Sequence, residues 1–257
     1  MTDILQRHRQ TWQEKKIIRV IYTEWYRMML ADLSQLPGPT VELGGGGGNF
    51  KEFKPDVITT DIDPQPWLDL VFDAHDMPFA DGEVSNLVMV DVLHHLGNPV
   101  LFLAEAWRVL RPGGRLLMLE PYPSAFSLPV YRRFHPEPFI FDVDYFLKAN
   151  DGLAQKDPWD SNQAIAYLLF FKHLRIFQQR FDQQFTILKR QRLSCILYPA
   201  SGGFENKSAI PDALIPVFQG VETLLTPLRP LLAFRCYVVL EKKSLAVSDS
   251  ASLRLTD

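Results

Sequence analysis

The sequence predicts an α/β protein built on a doubly wound, mostly parallel sheet. Three observations carry that expectation. Val41-Glu42-Leu43 reads as the end of a buried strand and runs into five consecutive glycines, Gly44 to Gly48, after which Asn49 could begin a helix. A second strand pattern, Asp56 to Thr60, ends in Asp61-Ile62-Asp63-Pro64. Beyond it, short apolar runs alternate with helical patterns as far as Pro121.

The glycine run removes five side chains from one turn, so the backbone there can adopt positive φ and a ligand can lie directly on it. Strand, glycine turn and helix N-terminus together form a nucleotide-binding arrangement. A phosphate-binding P-loop needs Lys-Ser or Lys-Thr after the last glycine, and Asn49-Phe50 stands there instead. A G-x-G-x-x-G dinucleotide fingerprint fails too, because its third glycine would fall on Asn49 or Phe50. What fits is acid-x-Gly-x-Gly-x-Gly, with Glu42, Gly44, Gly46 and Gly48.

A carboxylate at the end of the second strand lies beside such a loop and can accept both hydroxyls of a ribose. Asp61 stands 17 positions after Gly44, near the spacing of roughly 20 that this role has elsewhere. Asp63 competes with it, and either also suits an Asp-Pro turn. Leu70 to Phe79 then reads as a strand ending near Phe72, followed by Asp73-Ala74-His75. Asn86 to Val90 is a fourth, buried strand that runs into Asp91-Val92-Leu93-His94-His95. Its C-terminal end should face the ligand crevice, with Val90 and Asp91 bordering it. His94 and His95 invite a metal reading. Neighbours on a helix point about 100° apart, so packing is the better reading and no metal is expected. Val100 to Leu110 is helical and is expected to stop at Arg111-Pro112-Gly113-Gly114; Leu116 to Leu119 is the fifth strand.

The flanking regions are less regular. Ile17, Ile18, Ile21, Trp25, Met28, Met29 and Leu33 recur at helical spacing before Pro37-Gly38-Pro39. This N-terminal segment, 1–37, is expected to cover the core, and Trp12, Tyr22, Trp25 and Tyr26 would also suit a lid. Residues 122–162 show no regular pattern but hold Tyr122, Tyr131, Arg132, Arg133, His135 and several phenylalanines, so they read as a cover over the acceptor site. Asp160 and Gln163 could cap a buried helix over Ala164 to Phe171. Phe185 to Leu193 and Phe234 to Leu240 are the last two strands. Between them, 199–233 is a second covering insertion with an apolar helical stripe at Leu214, Val217, Val221, Leu224 and Leu228. Residues 244–257 read as a solvated tail, which leaves one domain over 1–243.

Bulk numbers exclude some classes. The chain has 257 residues, net charge −3 and pI near 6.1, so it is no general electrostatic binder of nucleic acid. Two distant cysteines lack metal-ligand spacing and fit a reducing, cytoplasmic setting. No signal peptide or membrane-spanning run is read. Between Ser161 and Phe204, Lys172, Arg175, Arg180, Lys189, Arg190 and Arg192 face a single acid, Asp182. That stretch is either a solvated face or an attraction to an anionic acceptor or membrane surface.

Taken in order, Glu42 to Gly48, Asp61-Ile62, Asp73-Ala74 with Met77-Pro78-Phe79, and Val109-Leu110-Arg111-Pro112-Gly113-Gly114-Arg115-Leu116-Leu117 resemble the motifs of class I S-adenosylmethionine (SAM) dependent methyltransferases. The resemblance covers roughly residues 38 to 121, and Ser85-Asn86 departs from the family's Phe-Asp. It implies a seven-stranded sheet with the last strand antiparallel, and SAM as cofactor. Glu42, Gly44, Gly45, Gly46 and Gly48 would meet its methionine end, Asp61 and Ile62 its ribose, Asp73 and Ala74 its adenine, and Val90 and Asp91 the donor end. The implied activity is methyl transfer to a small or lipid-like acceptor, and the basic residues allow an anionic one; by residue type, His135, Tyr122 and Asp91 are the candidate bases. The competing reading is a non-catalytic SAM-binding or partner-binding protein on the same fold.

Overall fold

A computed structural model describes residues 2–147 and 161–244. The expected cap at Asp160 and the tail from 245 onward lie outside the described residues. The chain opens with helices α1 (Thr2–Glu14) and α2 (Lys16–Asp32). Then follow β1 (Thr40–Leu43), β2 (Ile58–Asp61), β3 (Leu70–Val71), β4 (Val84–Val90), α3 (Pro99–Val109), β5 (Leu110–Pro121) and α4 (Ser127–Phe134). After residue 160 come α5 (Ile165–Tyr167), α6 (Leu174–Phe181), β6 (Phe185–Leu193), α7 (Leu197–Ser201), α8 (Ile215–Leu224), α9 (Arg229–Leu232) and β7 (Arg235–Lys242).

The sheet has seven strands in the order β3-β2-β1-β4-β5-β7-β6. The first five are parallel; β7 runs antiparallel between β5 and β6. Successive residues of its central strands feed opposite faces. Leu87 and Met89 of β4, Leu116 and Met118 of β5, and Val238 and Leu240 of β7 enter one core with Phe170 and Phe177. Val88, Leu117, Leu119, Tyr237 and Val239 enter a second core with Ile17, Ile18, Ile21 and Met29 of α2. A strand apolar at every position must be covered on both sides, which is the physical content of a doubly wound sheet. The order reverses where β1 sits between β2 and β4, and the crevice opens there.

Several elements depart from expectation. The glycine loop leads only into a short 3-10 turn, Asn49–Glu52. Pro55 supplies no N–H and disfavours helical backbone at Lys54, so the turn cannot propagate. Gly113 and Gly114 do not end α3. That helix stops at Val109, and Leu110 already pairs with Val84 in the sheet. The register then jumps to Asn86 opposite Arg115, so Arg111 to Gly114 bulge from the strand, with Gly113 at φ +78°. The α3 carbonyls find another partner: the Lys242 ammonium donates to Trp107 O and Leu110 O, both at 2.6 Å.

Residues 122–162 are not without regular structure, because α4 lies within them. Its start is held by a reciprocal pair, Ser127 N to Ser124 Oγ at 2.9 Å and Ser124 N to Ser127 Oγ at 2.7 Å. The buried helix after residue 164 is interrupted by a π-helical stretch, Leu168–Lys172. The apolar stripe of the second insertion faces outward: Leu214, Val217, Leu224 and Leu228 are exposed, and Ile215 is the buried residue of α8. Pro211, Pro216, Pro227 and Pro230 divide that stripe into short pieces, so its helical phase is reset at each break.

Candidate active site

A cavity of about 1060 Å³ lies over the C-terminal ends of β1, β2 and β4. Its lining includes Glu42, Gly44, Gly45, Gly46, Asp61, Ile62, Asp73, Ala74, Val90 and Asp91, so nearly all of the expected cofactor residues converge. Gly48 is the exception among them. It stands behind the loop, where a Cβ would meet Trp67 at 3.2 Å, and Gly47 takes its place in the lining.

The loop alternates: Gly44, Gly46 and Gly48 have φ of +60°, +47° and +69°. These are the three glycines of the acid-x-Gly-x-Gly-x-Gly pattern. At Gly44 the need is also steric, since a Cβ would lie 2.3 Å from a Val92 methyl. A Cβ at Gly45 would approach Glu42 Oε2 to 2.9 Å. Asp61 closes the loop from below, accepting from Gly46 N at 3.0 Å through one oxygen and from Asp63 N at 3.1 Å through the other. Between the two competing aspartates, Asp61 is therefore the one tied to the glycine backbone.

Glu42 is buried, and its Oε2 has no hydrogen-bond partner. Burial, with the nearby Asp61 charge, pushes its carboxyl up to about 8. A buried carboxyl aimed at a side-chain-free loop is suited to a cationic group. The ammonium and sulfonium of a SAM methionine end have that charge, so the residues fit the implied cofactor. At the other end, Asp73 Oδ1 accepts from His75 N at 2.9 Å and pairs with His75 Nδ1 at 2.7 Å. The His75 bond holds the Asp73 carboxyl below its ordinary range and leaves the second oxygen for a ligand.

Helices α1 and α2 lie over this crevice. Arg9 donates to Gly47 O at 3.1 Å, and Leu5, Tyr22 and Tyr26 line the cavity. Lys15 donates to Asn206 O at 2.6 Å, and Thr11 to Phe204 O at 3.4 Å, joining the N-terminal helices to the loop after α7.

The end of the cavity around Asp91 differs most from expectation. Asp91 lines the cavity at φ +60°, a strained backbone for a residue with a side chain, and pairs with Arg235. Arg235 opens β7 and lies buried between the rings of Trp25 at 5.2 Å and Tyr198 at 4.8 Å. His135 lines the cavity, but its Nδ1 accepts from Glu137 N at 3.3 Å and contacts Gln163 Nε2 at 2.8 Å. That leaves the proton on Nε2, a donor rather than a base. Tyr122 is buried away from the cavity lining, its hydroxyl accepting from Arg192 Nε at 2.7 Å. It packs against Phe171 instead.

Sequence reasoning missed Arg235, Glu120 and Glu137. Glu120 is buried at the end of β5 and accepts from Val92 N at 3.0 Å and Leu93 N at 2.8 Å, and from His94 Nδ1 at 2.7 Å. Burial works against the His94 charge, but Glu120 outweighs it and raises the imidazole to about 10. Burial likewise works against a charged Glu137, yet the neighbouring His94 holds it down at about 2. The one legible signal was Glu120 itself, an acid directly after a buried strand.

Residues 41–118 match a family model described as a methyltransferase domain. A demethylmenaquinone methyltransferase of Tropheryma whipplei is 42% identical over 60 residues, 23% of this chain and 25% of that protein. The human thiol S-methyltransferase TMT1A is 31% identical over 130 residues, 39% of this chain and 53% of that protein. The chain spans between 14% and 65% of the length of the curated relatives it matches. Among solved structures, a SAM-dependent methyltransferase of Archaeoglobus fulgidus superposes with a TM-score of 0.54 at 15% identity, over 88% of this chain and 94% of that one, and so shares its fold. The glycine loop, the strand order and the matched segment agree: residues 41–118 match a methyltransferase domain, set on the fold that SAM-dependent methyltransferases share.

Proposed function

We propose that the protein transfers a methyl group from SAM to a small, lipid-like acceptor. The observation that carries this is the order of groups along one cavity: an unpartnered buried Glu42, a bare glycine loop tied by Asp61, Asp73 held by His75, and Asp91 at the far end. When bound, SAM supplies an electrophilic sulfonium methyl. Glu42 faces its cationic end, Asp61 and Ile62 its ribose, Asp73 and Ala74 its adenine. Val90 and Asp91 stand where the methyl would be presented. The chain's contribution to rate is then mainly to hold donor and acceptor in line at about 3 Å, with α1 and α2 excluding water. His135, with its proton on Nε2, orients an acceptor oxygen rather than deprotonating it.

The named acceptors of the two relatives, a demethylmenaquinone and a thiol, support a small-molecule substrate. The apolar rim supports a lipid-like one: Phe134 lines the cavity and is 72% exposed, beside Arg132 and Arg133 on α4. Phe126 N donates to Leu231 O, which joins this rim to the exposed Leu231 of α9. The earlier basic stretch contributes less. Lys189 pairs with Asp32, Arg190 donates to Phe170 O, and Arg192 to Tyr122. Among the described residues no helix is long and apolar enough to cross a membrane, and the lipid contact proposed here is a peripheral rim.

Thermal unfolding with SAM or S-adenosylhomocysteine is the direct test. Ligand at about 100 times its dissociation constant should stabilise by roughly 2.7 kcal/mol, and Asp61→Ala should abolish the shift. A shift without turnover on any quinol, thiol or phenol acceptor would favour the non-catalytic reading. Co-sedimentation with anionic but not neutral vesicles supports the lipid rim, and equal, negligible binding to both removes it.

A further inference from the structure

We propose that His94, His95 and Glu137 form a site for one divalent transition-metal ion at the acceptor end of the cavity. All three line that cavity, and their ligand atoms lie within 4.8 Å of one another. The objection from sequence was that neighbouring histidines diverge. Here they sit on a 3-10 turn, Leu93–His95, and their rings lie 4.3 Å apart at 39°, both directed at Glu137.

The distances favour a shared ion over direct pairing. Glu137 oxygens stand 3.4 Å from His94 Nε2 and 3.7 Å from His95 Nε2. A charge-assisted hydrogen bond would close to about 2.8 Å. Two ligands at about 2.05 Å from a tetrahedral ion stand about 3.3 Å apart. The surroundings are those of a metal ligand as well. Glu120 takes the Nδ1 side of His94, and is itself fixed by the Val92 and Leu93 N–H groups. A carboxylate on the far nitrogen orients a ligating histidine and leaves Nε2 facing the ion. The other grouping, Asp91, His94 and Glu120, is closed by comparison, because Asp91 pairs with Arg235 and Glu120 is saturated.

Two imidazoles and one carboxylate select zinc, cobalt or iron(II) rather than magnesium. Three protein ligands leave a fourth position, the pattern of catalytic rather than structural sites. Its use rests on the methyl-transfer reading: an acceptor hydroxyl or thiol bound there would give up its proton to solvent more readily. The site itself does not depend on that reading.

Chelator-treated full-length protein would be titrated with cobalt(II), followed by its visible absorption, and with zinc by calorimetry. One equivalent should bind. Glu137→Gln and His95→Gln should each weaken binding at least about tenfold, Glu120→Gln by roughly 10- to 100-fold, and His173→Gln not at all. S-adenosylhomocysteine should still raise the unfolding temperature of each variant, which shows that the fold and donor site survive. Absence of saturable binding to the wild type, binding that survives both ligand variants, or binding lost in His173→Gln would overturn the proposal. Metal binding without any S-adenosylhomocysteine shift would sink the methyl-transfer reading and leave the metal site standing.

Discussion

The two ends of the cavity are made differently. The proposed donor end is backbone and near neighbours: Glu42, the glycine loop and Asp61 lie within 20 residues, and Asp73 is held by His75 two positions on. The proposed acceptor end is assembled from afar. Asp91 pairs with Arg235, 144 positions later, and His94 meets both Glu120 and Glu137. A site made of local backbone tolerates change around it and fails when the backbone is obstructed. A site made of distant side chains depends on pairings, and a lost partner leaves a charge behind.

The largest effect should come from Glu42. Its carboxyl is raised from 4.5 to about 8, so between those values the native state holds a proton that the unfolded state has lost. Stability should therefore fall as pH rises across that window, by roughly 5 kcal/mol at about 1.4 kcal/mol per unit, and stay low above it. Denaturant melts from pH 4 to 9 should show the slope in the wild type and a flatter profile in Glu42→Gln. A slope unchanged in Glu42→Gln would mean that the donor end is not the source.

Gly44→Ala tests the backbone half. It places a methyl against Val92 at positive φ, so a loss of about 3 kcal/mol and of the SAM-induced shift is expected. If cofactor binding survives, the loop is not a fixed cradle. Arg235→Met tests the other half at a similar cost, about 3 kcal/mol, because it strands Asp91. The double variant with Asp91→Asn should recover part of that loss. Strict additivity in the cycle would show that the pair does not couple the acceptor end.

The smallest effect on stability should be Phe134→Ala, within about 0.5 kcal/mol since the ring is exposed. Its signature should be kinetic, a KM for a lipid-like acceptor raised several-fold with the SAM-induced shift intact. An unchanged KM would separate the apolar rim from acceptor binding.

What the sequence determined by itself was the local half of this protein. The alternation of strand and helix, the positive-φ glycines 44, 46 and 48, and the carboxylates at 61 and 73 follow from chemistry within a few residues, so they were legible in order. Gly48 shares the positive φ of Gly44 and Gly46 but stands outside the cavity lining, since spacing shows conformation but not which side of the loop faces the cavity. Pro112-Gly113-Gly114 was misread because a helix stop and a strand bulge ask the same of glycine, and only Lys242 on the α3 carbonyls separates them. Tertiary structure alone decided the rest. Tyr122 and His135 were judged by type and region, but Arg192 takes one hydroxyl and Glu137 N the lone pair of the other ring. His94 and His95 converge on Glu137, a carboxylate from a different segment of the chain. Electrostatic pairing acts through space, and the antiparallel return of β7 that brings Arg235 to Asp91 has no local signature in the chain.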